Sequence, residues 1–220
     1  MANDDWYKNL SWNYQTEAEF ETRLQRAHDP HNRALYIRTQ AGYLLEAADE
    51  LTQSSGIQLT KRLFKEYPAE QSAIVLAQEQ LADYYFKKGN YALAENYYSF
   101  LIDYYNKYSR AGTSGIADVK LVDCLLRTTQ TTKYAEAYAL LTVNFKKSDG
   151  NLILNDHKFY YAEVLATLCE KMGKKAEAKK HAKEALDLAK ITDPQFRQKT
   201  LGLIYIRDDQ FREMQRIAEM

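Results

Sequence analysis

A spacing of small and aromatic residues that recurs along the chain constrains its fold more than any other feature. In the clearest copy, Ala82 precedes Gly89 by seven residues and Ala94 follows it by five. Leu81, Ala82 and Tyr85 share one face of a helix in this register, and a second helix after Gly89 repeats the arrangement. The stretch therefore predicts two helices that turn at Gly89 and meet at Ala82 and Ala94. Such a hairpin cannot bury its outer face alone, so it must stack on a neighbour.

The same spacing returns further along the chain. A second clear copy contains Ala166, Gly173 and Ala178, and weaker copies can be aligned if short insertions are allowed. We place these insertions at residues 128–132, a polar β-branched run with low helix propensity, and near residues 53–56. The equivalent small positions, separated by 36 to 44 residues, are Ala41, Ala82, Val122, Ala166 and Gly202.

This pattern resembles the tetratricopeptide repeat, a helix-turn-helix unit with a usual period of about 34 residues. The resemblance implies an all-α fold, an α-solenoid of about five stacked helix-turn-helix repeats. The longer period of this chain implies longer helices or turns than the standard repeat has. We expect residues 31–220 to form the array as one domain, with residues 1–30 as an N-terminal cap.

The N-terminal segment carries a second, less specific resemblance. Residues 5–13 and 35–41 look like the opening of a group of uncharacterised bacterial tetratricopeptide proteins, which brings no activity to transfer. Trp6 and Trp12 would be costly to expose, so we expect them to fold back onto the first hairpin. Thr16 and Glu19 have the spacing of a capping box and predict a helix near residues 16–28.

Charge and hydropathy bear on the kind of partner. The chain has 30 basic and 30 acidic residues, which disfavours binding to a phosphate backbone. We interpret the lysine-rich stretch from Lys171 to Lys190 as a solvated helix face. No apolar run reaches the roughly 18 residues of a membrane span, and the acidic N-terminus does not resemble a signal peptide. We therefore expect a cytoplasmic monomer or weak dimer that binds neither nucleic acid nor membrane.

Motifs of catalysis and metal binding are missing from the sequence. It contains no metalloprotease helix, no phosphate-binding loop and no nucleophile elbow. Residues 112–115 are glycine-rich but lack the lysine of a phosphate loop, so we predict a turn. His28 and His31 have no further ligand nearby and fit a helix-start turn better than a metal site. Cys124 and Cys169 are expected to be buried thiols. We predict no catalytic residue, metal or cofactor.

The resemblance to tetratricopeptide repeats also implies where a ligand would bind. In that family the first helix of each repeat lines a concave groove. The best-known members hold an acidic peptide tail with Lys and Asn at the positions of Glu79 and Asp83, so a ligand with some positive charge is expected here. The implied groove residues are Arg38 from the first repeat; Glu79, Asp83 and Lys87 from the second; Val119, Asp123 and Arg127 from the third; and Tyr160, Glu163, Thr167 and Lys171 from the fourth.

Two classes of function stay open at this point. The first is a non-catalytic module that binds a protein or peptide in the groove, as an adaptor, a chaperone-like protein or an immunity or inhibitor protein. The second is an enzyme, or a sensor of a small molecule or peptide, with its site in the groove. The missing catalytic motifs favour the first. The 18 tyrosines leave a tyrosine-lined contact surface as an alternative to the groove.

Overall fold

The computed structural model describes residues 5–196 and 200–220, which are helical or irregular and include no β-strand. The prediction of an all-α fold is confirmed. The chain forms two compact units, one up to Tyr104 and one from Tyr105 onward. Across the described residues, no helix has both the length and the apolar character needed to cross a membrane.

The helices follow one another with short connections. Five begin in the first unit: α1 (Tyr14–Arg26), α2 (Pro30–Leu45), α3 (Glu50–Glu66), α4 (Gln71–Lys87) and α5 (Tyr91–Lys107), which contains the boundary between the units. The second unit continues with α6 (Ala117–Arg127), α7 (Tyr134–Ala139), a π-helical turn (Leu140–Asn144) that joins α7 to α8 (Phe145–Lys147), α9 (Asn155–Lys171), α10 (Lys175–Ala189) and α11 (Asp208–Glu219).

Consecutive helices pack as pairs. The most extensive contacts join α2 with α3 and α9 with α10, while α6 meets α7 and the π-helical turn. The pair of α4 and α5 is joined by the Tyr98 hydroxyl, which donates a 2.7 Å hydrogen bond to Asp83, and by an edge contact of Phe86 with Tyr91. Ala82 and Ala94, the predicted contact positions of this pair, are both fully buried.

Left-handed residues end the first helix of three pairs. Gly89 and Gly173 have φ angles of 72° and 74°, and their N–H groups bond to the third carbonyl before them. This is the usual glycine termination of a helix. Thr129, with φ of 53°, takes the same place after α6, and the short 3₁₀ helix Thr131–Lys133 then lengthens the turn. The three-residue insertion predicted at residues 128–132 is confirmed.

The insertion predicted near residues 53–56 is wrong, because these residues lie inside α3. The connection between α2 and α3 comes earlier, where the Asp49 carboxylate caps α3 by accepting the Thr52 N–H at 2.8 Å. The buried Gln53 side chain donates to the Ala47 carbonyl at 2.6 Å and so satisfies a polar group of that turn. Gly56 is thereby placed at the crossing of α3 with α2.

The fifth helix pair predicted around Gly202 is also wrong. Gly202 lies among the non-helical residues 200–207 that precede α11, and α11 packs on α10 as a single helix. After the end of α10, the Gln195 side chain binds the start of α9: its Oε1 accepts the Asn155 N–H at 2.8 Å, and its Nε2 donates to the Ile153 carbonyl at 2.7 Å. Within the described residues the fold therefore has four helix pairs, preceded by α1 and followed by α11.

The N-terminal aromatic residues pack on the first helices, as predicted. The Trp6 ring lies 5.4 Å from Phe20 of α1 and 4.8 Å from Tyr36 of α2, and the Trp12 ring lies 5.5 Å from Phe20. The helix cap is placed differently from the prediction. Asn13, rather than Thr16, is the N-cap, so α1 begins two residues earlier than expected and Thr16 supplies the reciprocal bond.

Replacing Gly56 tests the close approach of α2 and α3. A β-carbon at Gly56 would lie 3.0 Å from the Ala41 carbonyl oxygen and 3.0 Å from the Leu45 nitrogen, both of which are backbone atoms. Gly56→Ala gains about 1 kcal/mol in helix propensity. We expect overpacking to outweigh this gain and lower the free energy of unfolding by about 1–3 kcal/mol in urea denaturation. Ser54→Ala, at an exposed position of α3, should have little effect. A Gly56→Ala protein more stable than the parent would contradict the prediction.

Candidate functional site

A cleft of about 270 Å³ opens in the second unit, where α6, α9 and the start of α11 meet. Charged and polar side chains form most of its wall. Six of the eleven predicted groove residues line it, because they share one stripe of α6 or α9 at spacings of three and four residues. The lining consists of Asp123, Leu126 and Arg127 from α6; Tyr160, Glu163, Val164, Thr167 and Lys171 from α9; and Arg207 and Gln210 from the start of α11.

A buried ion pair fixes the start of α6, the helix that carries Asp123 into the cleft. The Arg110 guanidinium makes two hydrogen bonds of 2.7 and 2.8 Å to Asp118, whose side chain is 1% exposed. The Tyr105 and Phe145 rings lie 4.5 and 4.7 Å from the guanidinium carbon, and Arg110 Nε donates to the Ser148 carbonyl at 2.9 Å. Such a two-pronged pair sets orientation as well as distance, so α6 is held firmly at its N-terminal end.

Asp123 is buried at the α6 side of the cleft, and both of its oxygens are engaged. Oδ1 accepts a 2.8 Å hydrogen bond from Arg127 Nε, and Oδ2 accepts a 2.7 Å bond from the Tyr160 hydroxyl. The positive charge of Arg127 compensates the carboxylate, while its own side chain remains 44% exposed. Asp123 therefore ties α6 to α9 and has its charge neutralised inside the protein.

Glu163 of α9 is half-buried, and its carboxylate has a different kind of partner from that of Asp123. Its Oε1 accepts a 2.8 Å hydrogen bond from Gln210 Nε2, and among the described residues no cation comes within ion-pair distance of the carboxylate. Burial raises the pKa of Glu163 above its ordinary value, and the nearby charge of Asp123 acts in the same direction. The hydrogen bond from Gln210 opposes this shift, as do the charges of Arg207 and Arg127. Glu163 is thus a carboxylate in a partly dry cleft with a neutral amide as its donor.

The remaining cleft side chains complete the surroundings of Glu163. Leu126 and Val164 present buried apolar surface, and the Thr167 hydroxyl bonds to the Glu163 backbone carbonyl at 3.0 Å. Arg207 pairs with Asp209 at 3.1 Å, while Lys171 is exposed at the end of α9. The cleft therefore combines two apolar side chains, one carboxylate without an ion-pair partner, and cations near its edge.

The other predicted groove residues lie outside the cleft. Arg38, Glu79, Asp83 and Lys87 belong to the first unit. Asp83 accepts a hydrogen bond from the Tyr98 hydroxyl, and Lys87 forms an exposed 2.7 Å ion pair with Glu46.

Three of the predicted groove residues are wholly or partly buried. Glu79 is 8% exposed, and Arg38 is half-buried, with burial lowering its pKa. Val119 is fully buried in the apolar core of the second unit, so its assignment to a groove is wrong.

Two cleft residues were missed by the sequence pattern. Arg207 and Gln210 line the cleft but are not among the groove residues that the resemblance implies. Gln210 reaches Glu163 across 47 residues of sequence, after a connection that has no helical period. The sequence contains no signal for this contact, because the pattern around Gly202 pointed to another helix pair at this place.

Other candidate residues of the sequence have simpler surroundings. His31 lies in the first turn of α2 and contacts Glu70 at 2.9 Å. Cys124 and Cys169 are buried, as predicted, and burial raises the pKa of Cys169 to about 11. Over residues 5–196 and 200–220, no three His, Cys, Asp or Glu side chains come together as a group that could hold a metal ion.

Comparison of the chain with protein-family models, with curated proteins and with solved structures finds no match. The resemblance to tetratricopeptide repeats therefore rests on the spacing of residues described above.

The pKa of Glu163 predicts an unusual pH dependence of stability. Because its pKa is higher in the folded than in the unfolded protein, folding takes up a proton, and Glu163 destabilises the fold as pH rises through the folded pKa. Glu163→Gln removes the charge and keeps a polar group near Gln210. We expect the variant to melt at a higher temperature than the parent at pH 7, and the difference to shrink toward pH 4. Glu136→Gln, at an exposed site on α7, should melt at the same temperature as the parent at both pH 7 and pH 4. A lower melting temperature for Glu163→Gln at pH 7 would show that the charge is compensated.

Proposed function

We propose that the chain is a non-catalytic protein- or peptide-binding module and that the cleft between α6, α9 and α11 holds part of the partner. The observation that carries this proposal is the convergence in one cleft of six residues that the resemblance to tetratricopeptide repeats implies as groove residues. The register came from the repeat, and the repeat is a scaffold for binding surfaces.

The size and lining of the cleft favour part of a larger partner over a whole small molecule. Pockets for drug-sized ligands and cofactors have volumes of about 300–1,000 Å³ and mostly apolar walls. The cleft has about 270 Å³, and most of its lining residues are charged or polar. It suits one or two side chains of a peptide segment, with the rest of the partner lying outside.

We propose further that the helix pairs stack as an α-solenoid of the tetratricopeptide type. The order of the pairs within each unit and the small residues at their crossings support this arrangement. Arg38, Glu79, Asp83 and Lys87 stay predicted contacts for a longer partner. A cytoplasmic adaptor, a chaperone-like protein and an immunity protein all fit this proposal, and no contact in the cleft favours catalysis.

Filling the cleft tests the proposal. Peptides are first selected from a random heptapeptide display library on the purified parent protein, and their affinities are measured by calorimetry. Thr167→Trp places a bulky ring in the cleft. We therefore expect it to weaken binding of the selected peptides by at least about tenfold, equivalent to 1.4 kcal/mol.

The matched control is Thr22→Trp, an exposed site on α1. The Thr22 hydroxyl bonds to the carbonyl four residues before it, as the Thr167 hydroxyl does. Circular dichroism verifies that both variants fold. If a folded Thr167→Trp protein binds the selected peptides as tightly as the parent does, the cleft is not the binding site.

A further inference from the structure

We infer that the cleft takes a single arginine or lysine side chain of the partner, with the cationic group bound at the carboxylate of Glu163. This inference rests on the proposed function and specifies the chemistry that the partner must present. It follows from the charge balance, the free acceptor capacity and the shape of the cleft.

Ion pairing distinguishes Glu163 from Asp123, the other carboxylate of the cleft. Asp123 is neutralised by Arg127 at 2.8 Å, and Arg207 is paired with Asp209 at 3.1 Å. Glu163 is paired with the neutral amide of Gln210. A carboxylate that is partly removed from water and lacks a countercharge is costly, and a cation supplied from outside would remove that cost.

The carboxylate has room for another donor. Gln210 occupies Oε1 of Glu163, whereas the described residues supply no hydrogen bond to Oε2. A carboxylate accepts several hydrogen bonds through its two oxygens. A guanidinium or ammonium group at Oε2 would form a charge-assisted bond, which is about twice as strong as one between neutral groups.

The walls of the cleft fit the rest of a basic side chain. Leu126 and Val164, both less than 10% exposed, line the same space as Glu163. Lysine and arginine bury their aliphatic stems along apolar surface while the charged head reaches a polar group. The two apolar side chains beside the carboxylate match both parts of such a side chain, and a volume of about 270 Å³ suffices for one of them.

Two other occupants fit less well. An acidic partner would find Arg127 and Arg207 already paired with Asp123 and Asp209, and only Lys171, which is exposed at the end of α9, could receive it. A calcium ion takes six to eight oxygen ligands, and the cleft does not offer an unengaged set of that size. A cationic side chain needs one open acceptor, which Glu163 provides.

The test uses the heptapeptides selected on the parent protein and replaces each basic residue in turn. Arginine is replaced by citrulline, which keeps the shape and removes the charge, and lysine is replaced by norleucine. We expect one replacement in each peptide to weaken binding by at least about tenfold. The Glu163→Gln protein should bind the original peptide more weakly than the parent does, by a similar factor. It should also bind the original peptide and the peptide with the replaced residue with equal affinity. The Glu136→Gln protein should retain the parent's full difference in affinity between the original and the replaced peptide.

The outcomes separate this inference from the proposed function. If Thr167→Trp abolishes binding but no basic residue matters, the cleft binds a partner of different chemistry and the inference is overturned. If Thr167→Trp has no effect either, both proposals fail. Should Glu163→Gln fail to fold, Glu163→Asp retains the charge on a shorter side chain and should weaken the original peptide.

Free L-arginine serves as a separate probe of the source of the cation. Binding of L-arginine that is lost in Glu163→Gln, with affinity equal to that of the peptides, would overturn a peptide partner in favour of the free amino acid. Binding much weaker than that of the peptides supports the peptide partner.

Discussion

The close approach of paired helices at small residues is the constraint on which the rest of the fold depends. Gly56 in α3 leaves no space for a β-carbon against the backbone of α2, and Ala166 and Ala178 are fully buried in the pair of α9 and α10. A helix that lies this close to its partner has little freedom to rotate, because packed interiors transmit any change in volume. The orientation of each first helix is thereby set, and so is the face that it leaves for other contacts.

The cleft forms on such a remaining face of α9. Tyr160, Glu163 and Thr167 follow one another along this face, and the Tyr160 hydroxyl binds Asp123 of α6 while Gln210 of α11 binds Glu163. These bonds hold three helices around the cleft but leave Glu163 without a countercharge. A charged group kept at a cost to stability is typical of a site that is completed by a ligand.

Much of this arrangement could be predicted from local patterns, and the exceptions have physical reasons. The turns at Gly89 and Gly173 could be predicted from the repeated spacing, and both glycines have positive φ angles. Six cleft residues could be predicted by carrying over the groove positions of the tetratricopeptide repeat. Gly56 was misread because glycine in a polar run usually marks a break, whereas here it permits a helix crossing. Gly202 matched the repeat in residue type, yet it lies among the non-helical residues that precede α11. The part played by Gln210 could not be predicted, since it depends on packing between distant segments.

The pKa of the Glu163 carboxyl is the most direct measure of the central claim. It can be followed by an NMR pH titration of protein labelled with ¹³C at glutamate, alone and saturated with a selected arginine-containing heptapeptide. We predict a pKa above the ordinary value in the free protein and a clear decrease in the complex, because a bound cation favours the charged carboxylate. A pKa that does not change when the peptide binds would contradict the assignment of Glu163 as the anchor of the partner.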